Sequence, residues 1–289
     1  MHPHGRTPTA RRASCAAPPC FAPSSRWRCS RAHCPSPPSS SDLDDNRWLS
    51  NCRDGWKGDD DRGRACEVRA VPLKLAGRGL DIDGRENGGI RVVAWDGDSV
   101  RVSARLQAQA RSDSDARDML KDVRISADGR RIRADGPRSR DRESWSVSYM
   151  VFVPRRFDLT LEASNGALSV AGVTGRLDLR TVNGSVNLTD AGGDVHARTQ
   201  NGSVNVQLVG SKWDGSGLDA ETQYGSVRLA IPESYAAQVE TGTVNGRVNT
   251  DFPITVQGRI SQRFSLPLNG GGPPIRAMTT NGSVTLTRR

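Results

Sequence analysis

Asn183-Gly184-Ser185-Val186-Asn187-Leu188 and Asn201-Gly202-Ser203-Val204-Asn205-Val206 are two copies of one phrase. Four more copies occur at Asn165-Gly166-Ala167-Leu168-Ser169-Val170, Tyr224-Gly225-Ser226-Val227-Arg228-Leu229, Asn245-Gly246-Arg247-Val248-Asn249-Thr250 and Asn281-Gly282-Ser283-Val284-Thr285-Leu286. A phrase that recurs at a fixed period marks a repeat architecture, in which each unit is too small to bury its apolar face alone. The flanks of the six copies agree. Six residues before each Asn or Tyr stands Leu159, Leu177, Val195, Leu218, Val239 or Ile275. Four before it stands Leu161, Leu179, Ala197, Ala220, Thr241 or Ala277, and two before it Ala163, Thr181, Thr199, Thr222, Thr243 or Thr279. Three residues after it every copy has Leu or Val. This is period-two alternation on both sides of a corner, the pattern of a strand, an Asn-Gly bend and a second strand with one apolar face.

The corner-to-corner spacings are 18, 18, 23, 21 and 36. Independent hairpins need no common length, whereas stacked coils do, because each must lie over its neighbour. The spacing of 36, twice 18, therefore predicts an all-β chain with a C-terminal β-solenoid of about 18-residue rungs. Insertions are expected at Ser211–Ser216 and within Asp251–Pro274, where Ile254–Val256 and Phe264–Leu266 read as a hairpin. Asn and Gly tolerate positive φ, so turn chemistry alone accounts for the six corners Asn165, Asn183, Asn201, Tyr224, Asn245 and Asn281, and stacked Asn side chains can bond along the axis.

Composition agrees with short strands and tight turns: 30 Gly, 4 Met and 5% aromatic residues in a chain of 289. The net charge of +9 suggests a polyanion binder until it is divided. Residues 1–41 hold Arg6, Arg11, Arg12, Arg26, Arg28 and Arg31 and no acid, while from Phe157 onward 11 basic residues balance 11 acidic ones. The repeat region is neutral, and no nucleic-acid partner is read from it.

Cys52 and Cys66 bracket a polar loop with little apolar content, and a disulfide between them would stabilise it by roughly 3 kcal/mol in the chain-entropy model. That pairing points to an oxidising compartment. Cys15, Cys20, Cys29 and Cys34 lie in the Pro/Ser/Arg-rich leader. Residues 1–41 contain no apolar run suited to a signal core or membrane span. An export-type cysteine pair behind such a leader suggests a misassigned start, with the true secretion signal missing from this version.

The chain then divides into a disordered leader over 1–41, a disulfide-closed polar segment over 42–66, a β-rich cap region over 67–156 and the repeat region over 157–289. In the cap region, Gly89–Trp95 and Ser99–Leu106 read as a hairpin about Asp96-Gly97. One helix is expected near 113–123, capped by Ser112 or Ser114, with Ala116, Met119, Leu120 and Val123 on one face. Strands at Val123–Ala127 and Arg131–Ala134 join at Asp128-Gly129, and Trp145–Val153 is a long strand ended by Pro154.

The Thr-x-Asn-Gly-Ser-Val copies at Thr181, Thr199 and Thr279, with the Gly270-Gly271-Gly272-Pro273 run before the last, resemble the bacterial putative-adhesin domains, β-strand-repeat domains of unknown function in the cell envelope. The resemblance spans about Cys66 to Arg289 and implies a solenoid-like fold and export to the periplasm or cell surface. It carries no active site with it.

Candidate chemistry is sparse. Asp190 and Asp194, and Asp214, Asp219 and Glu221, are the carboxylates that a carbohydrate-active enzyme on a β-helix would use, but only Trp213 and Tyr224 could supply an aromatic sugar platform nearby. Asp59-Asp60-Asp61 lacks the alternating ligands of a calcium loop. His196 has no catalytic or metal partner at motif spacing. No catalytic, cofactor-binding or metal-ligating residues are therefore assigned, and no cofactor. Trp213 and Tyr224, where the repeat is interrupted, are the candidate contacts to a partner such as an envelope glycan or protein. The function expected is a non-enzymatic structural or binding module of the envelope, with the carbohydrate-active enzyme as the alternative. A polyanion binder acting through the leader is the third class.

Overall fold

A computed structural model describes residues 40–54, 62–75, 77–139, 142–253 and 263–289. The leader with its four cysteines, the Asp59–Asp61 run and Ile254–Val256 lie outside the described residues. The chain from Ser39 onward forms a compact unit.

In the repeat region each copy supplies two strands. The first set is β8 (Asp158–Ala163), β10 (Thr174–Asn183), β12 (Gly192–Asn201), β14 (Gly217–Tyr224), β16 (Ala237–Asn245) and β19 (Pro274–Asn281). The second is β9 (Leu168–Ala171), β11 (Val186–Thr189), β13 (Val204–Gln207), β15 (Val227–Ile231), β17 (Val248–Thr250) and β20 (Val284–Arg288). Each set forms its own sheet with parallel pairing between copies, and equivalent residues face one another: Leu159, Leu177, Val195, Leu218 and Ile275 in one, Leu168, Val186, Val204, Val227 and Val284 in the other. All ten of these side chains are buried, which is what the shared apolar offsets require of two facing sheets.

The copies do not stack in chain order. β19–β20 lies between β14–β15 and β16–β17. The spacing of 36 therefore does not represent a doubled turn. The chain passes beyond β16, returns through β18 (Arg263–Leu268) and only then inserts its last copy. Phe264–Leu266 pairs antiparallel with Val239–Thr241, which covers the outer edge of β16 and so removes a row of unpaired backbone groups.

The N-terminal strands extend the same two sheets. β2 (Gly79–Asp83) pairs with β8, and β3 (Ile90–Trp95) pairs with β9, both parallel. The hairpin expected between Gly89–Trp95 and Ser99–Leu106 does not form. β4 (Arg101–Ala110) is separated from β3 by β7 (Ser144–Pro154), which pairs with both. The physical reason is that β3 is itself half of a repeat: Asn87-Gly88-Gly89-Ile90-Arg91-Val92 is a seventh copy of the corner phrase, and its apolar face is satisfied only in parallel alignment with Leu168 and Val170. β1 (Gly63–Ala70) completes this end of the second sheet, and β6 (Arg131–Asp135) and β5 (Arg124–Asp128) complete the first.

Two helices cover the N-terminal end. α2 (Asp113–Asp122) is capped by Ser112, whose Oγ accepts from the Asp115 amide at 3.2 Å, and it buries Ala116 and Leu120. The Arg69 guanidinium donates to the carbonyls of Leu120 and Val123 at the other end, where cationic donors suit the helix dipole. α1 (Ser40–Asp54) occupies much of the segment read as disulfide-closed and polar. Its Asp45 accepts from Arg105 Nε and Ser103 Oγ of β4 at 2.8 and 2.7 Å, and Cys52 is disulfide-bonded to Cys66 of β1. Tertiary bonds, rather than an apolar stripe, hold this helix.

Candidate functional site

The Asn-Gly corners line one side of the molecule. Thr199 Oγ1 donates to the Gly184 carbonyl at 2.8 Å, Thr181 to Gly166 at 2.9 Å, Thr222 to Gly202 at 2.8 Å, Thr279 to Gly225 at 2.9 Å and Thr243 to Gly282 at 3.0 Å. Each buried threonine thus ties its own corner to the corner of the adjacent copy, including across the displaced last one. The glycines are needed because the corners stack tightly. A Cβ on Gly184, Gly202 or Gly246 would overlap the carbonyl oxygen of Gly166, Gly184 or Gly282, respectively. None of the corner asparagines adopts positive φ, and of the corner glycines only Gly225 and Gly282 do, at 154° and 155°, so close approach, which all the corner glycines share, is what selects glycine here.

The asparagines form a ladder. Nδ2 of Asn165, Asn183 and Asn201 donates to Oδ1 of Asn87, Asn165 and Asn183 at 3.3, 2.7 and 2.8 Å, and Asn245 donates to Asn281 at 2.9 Å. Tyr224 stands between Asn201 and Asn281 and breaks the series, with 52% of its surface exposed. Trp213, the other proposed partner contact, is buried at 3% exposure and donates its indole N–H to the Gly193 carbonyl at 2.9 Å. It offers no surface to a partner, because the insertion that carries it folds its apolar ring inward.

The carboxylates lie on the outer face of the sheet containing β12 and β14. Asp219 is the most enclosed, with its side chain 17% exposed, and it accepts from Arg276 at 2.7 Å and Arg198 at 3.0 Å. Arg198 also lies 3.6 Å from Glu221, and Asp178 is paired with Arg180 at 2.8 Å. His196 stands between Asp194, 3.5 Å from Nε2, and Asp219, 3.8 Å from Nδ1, so it is not isolated; its Nδ1 is buried and makes no hydrogen bond among the described residues. Asp190 occupies a turn with φ 53°, and Asp214 lies beside the Gly193 turn, where its carbonyl accepts from the Gly193 amide at 2.6 Å. Cross-strand pairing to arginine already uses both oxygens of Asp219, which leaves this face an ion-pair network rather than an acid and a base flanking a cleft.

Among the described residues no cluster of three His, Cys, Asp or Glu side chains suits a metal ion, and no helix is long and apolar enough to cross a membrane. The residues that sequence reasoning missed are Asn87 in the ladder and Arg276 beside Asp219. Asn87 was marked by its Gly and by Ile90 three residues on. Arg276 was not marked, since its partner comes from a copy 57 residues away in sequence.

Comparison with solved structures finds, over 78% of this chain in each case, a putative cell adhesion protein from Clostridium sporogenes (12% identity, all of that chain, TM-score 0.42), a putative adhesin from Bacteroides fragilis (10%, 97% of that chain, 0.30) and a putative lipid binding protein from Parabacteroides distasonis (9%, 96% of that chain, 0.33). No match is found among curated proteins. The Toastrack DUF4097 family matches residues 119–287, more than half of the chain and all six C-terminal corner phrases, and the protein belongs to that family.

Proposed function

We propose that the protein is a non-enzymatic, exported β-solenoid module of the bacterial cell envelope, with rungs of about 18 residues, that acts as a scaffold or adhesin-like binding element. The observation that carries this reading is the use of the repeat residues themselves. Thr, Asn and Gly of the corner phrase bond or pack against the adjacent copy, and the carboxylates of the outer face are matched to arginines. Residues so engaged hold a scaffold together and are not free to turn over a substrate. The polar face and the exposed Tyr224 are available to an envelope glycan or protein. The Cys52–Cys66 pair suits the periplasm or cell surface.

Fractionation of the native organism, with a non-reducing gel for the disulfide and a glycan array on the purified chain, tests the proposal. The expected result is an oxidised protein in the envelope fraction, no release of reducing sugar, and weaker partner binding in Tyr224→Ala. Release of reducing sugar that Asp219→Asn or Glu221→Gln abolishes would establish the carbohydrate-active enzyme instead.

A further inference from the structure

We infer that a groove on the side opposite the Asn-Gly corners binds an anionic amphiphile with one aliphatic chain, a fatty carboxylate or an alkyl phosphate. The inference stands apart from the envelope reading and does not need it.

The groove forms where the chain crosses twice from one sheet to the other. The segment after β1 crosses to β2, and residues 155–157 cross from β7 to β8. The two crossings are tied side by side, the Asp158 amide donating to the Arg78 carbonyl at 3.0 Å. Between them opens a groove of about 590 Å³ whose apolar lining includes Leu73, Leu75, Val100 and Phe157. Leu73, Leu75 and Val100 pack against the core on one side and remain partly exposed on the other. Aliphatic side chains left half-covered around a concavity are what an apolar ligand would cover, and the volume lies within the usual range for small-molecule sites.

The charge at the rim decides the class. Arg78 and Arg156 both line this groove and also the shallower one beside it, so they stand on the ridge between the two. Both are exposed, and neither guanidinium has a hydrogen-bond or ion-pair partner among the described residues. The adjacent Arg155, in contrast, is paired with Asp96 at 3.1 Å. Asp98 is the acidic residue in the lining, and Asp158, beside the second groove, already accepts from the Arg176 amide at 2.8 Å. Two unpaired planar guanidiniums match a carboxylate or phosphate, which can take forked hydrogen bonds from either. An anionic head held there places an attached chain over Leu73, Leu75 and Val100.

Isothermal titration of the full chain with dodecanoate, dodecyl phosphate, dodecanol and inorganic phosphate, all below micellar concentrations, tests the inference. Saturable one-to-one binding is expected for dodecanoate, dodecyl phosphate or both, and their ratio tells which head group the arginines favour. Dodecanol should bind at least about tenfold more weakly, because it forfeits the charge-assisted hydrogen bonds. The Arg78→Ala/Arg156→Ala double variant should lose a similar factor, and so should wild type at high salt, which screens exposed charges. Equal binding of dodecanol would reduce the site to an apolar patch, and equal binding of inorganic phosphate would reduce it to an anion site. Either result overturns the inference, as does an unchanged double variant or the absence of saturable binding. The comparison among ligands uses wild type alone, so it remains decisive even if a variant folds poorly.

Discussion

Gly202→Ala tests whether close stacking is what demands glycine at the corners. The new Cβ falls on the carbonyl oxygen of Gly184, a backbone atom that cannot swing aside as a side-chain tip would. The two corners must separate locally. Two side-chain hydrogen bonds cross that seam, Thr199 Oγ1 to the Gly184 carbonyl and Asn201 Nδ2 to Asn183 Oδ1, both at 2.8 Å. Losing the buried one costs about 1 kcal/mol and the exposed one less, and overpacking adds about 1–3 kcal/mol, so the expected loss is about 3 kcal/mol. Gly129→Ala is the control. Gly129 has φ 58° in the turn between β5 and β6 with open space around it, so alanine there costs only the left-handed backbone penalty of about 1 kcal/mol.

Guanidinium unfolding followed by far-UV circular dichroism measures both variants, with unchanged m-values as the condition for comparing them. If Gly202→Ala lies within about 1 kcal/mol of wild type, or is milder than Gly129→Ala, then backbone approach does not set the corner residue and the account of the phrase given above fails.

Three further outcomes follow from single side chains. Tyr149 is 2% exposed and its hydroxyl has no hydrogen-bond partner among the described residues, so Tyr149→Phe should stabilise the protein by about 1 kcal/mol, seen as a rise of about 2–4 °C in Tm by calorimetry. Tyr235 has its pKa pushed up to about 12, chiefly by burial and then by Asp190. Its folded value thus exceeds the unfolded one of about 10, so its contribution is intact below pH 10 and fades as pH rises from there to 12; urea midpoints across that window should fall less steeply in Tyr235→Phe. Cys52→Ser removes a link closing 14 residues and should cost about 3 kcal/mol, with dithiothreitol reproducing the loss in wild type but not in the variant.

The strand-corner-strand unit was legible because its apolar offsets are enforced by two facing sheets and recur in every copy. The seventh copy was harder to see. Leu80, which pairs with Leu159, lies seven residues before Asn87 instead of six, and Arg85, at φ 54°, lies in the interval with the extra residue. The Asp96-Gly97 signal nearby also suggested a hairpin, yet local turn chemistry cannot outweigh the alignment of Ile90 and Val92 with Leu168 and Val170. Stacking order was not legible at all: by the apolar pattern Val227 can face Val248 or Val284 equally well, and in the structure it faces Val284. The ion pairs of Asp219 were hidden for a related reason, since its partners are 21 and 57 residues distant and meet it only through cross-strand register.

Tyr224 separates what the scaffold needs from what it leaves free. At this corner the backbone continues unperturbed: the Gly202 amide donates to the Tyr224 carbonyl, the Gly225 amide to the Asn281 carbonyl, each at 3.0 Å, and Thr222 still reaches Gly202. The threonine tie and the glycine contact therefore carry the stacking, and the exposed asparagine amides add only the small net energy of a solvated hydrogen bond. A corner Asn can thus be replaced without loss of register, as can one Thr, since Ala163 stands at that position in the first of the six copies, whereas every copy keeps its Gly. The opposite turns carry no such repeated Thr-Gly tie, and their lengths vary from the short Asp190–Gly192 link to the segment carrying Trp213. Residues placed there, Arg78 and Arg156 among them, can change without disturbing the stack that the corners hold.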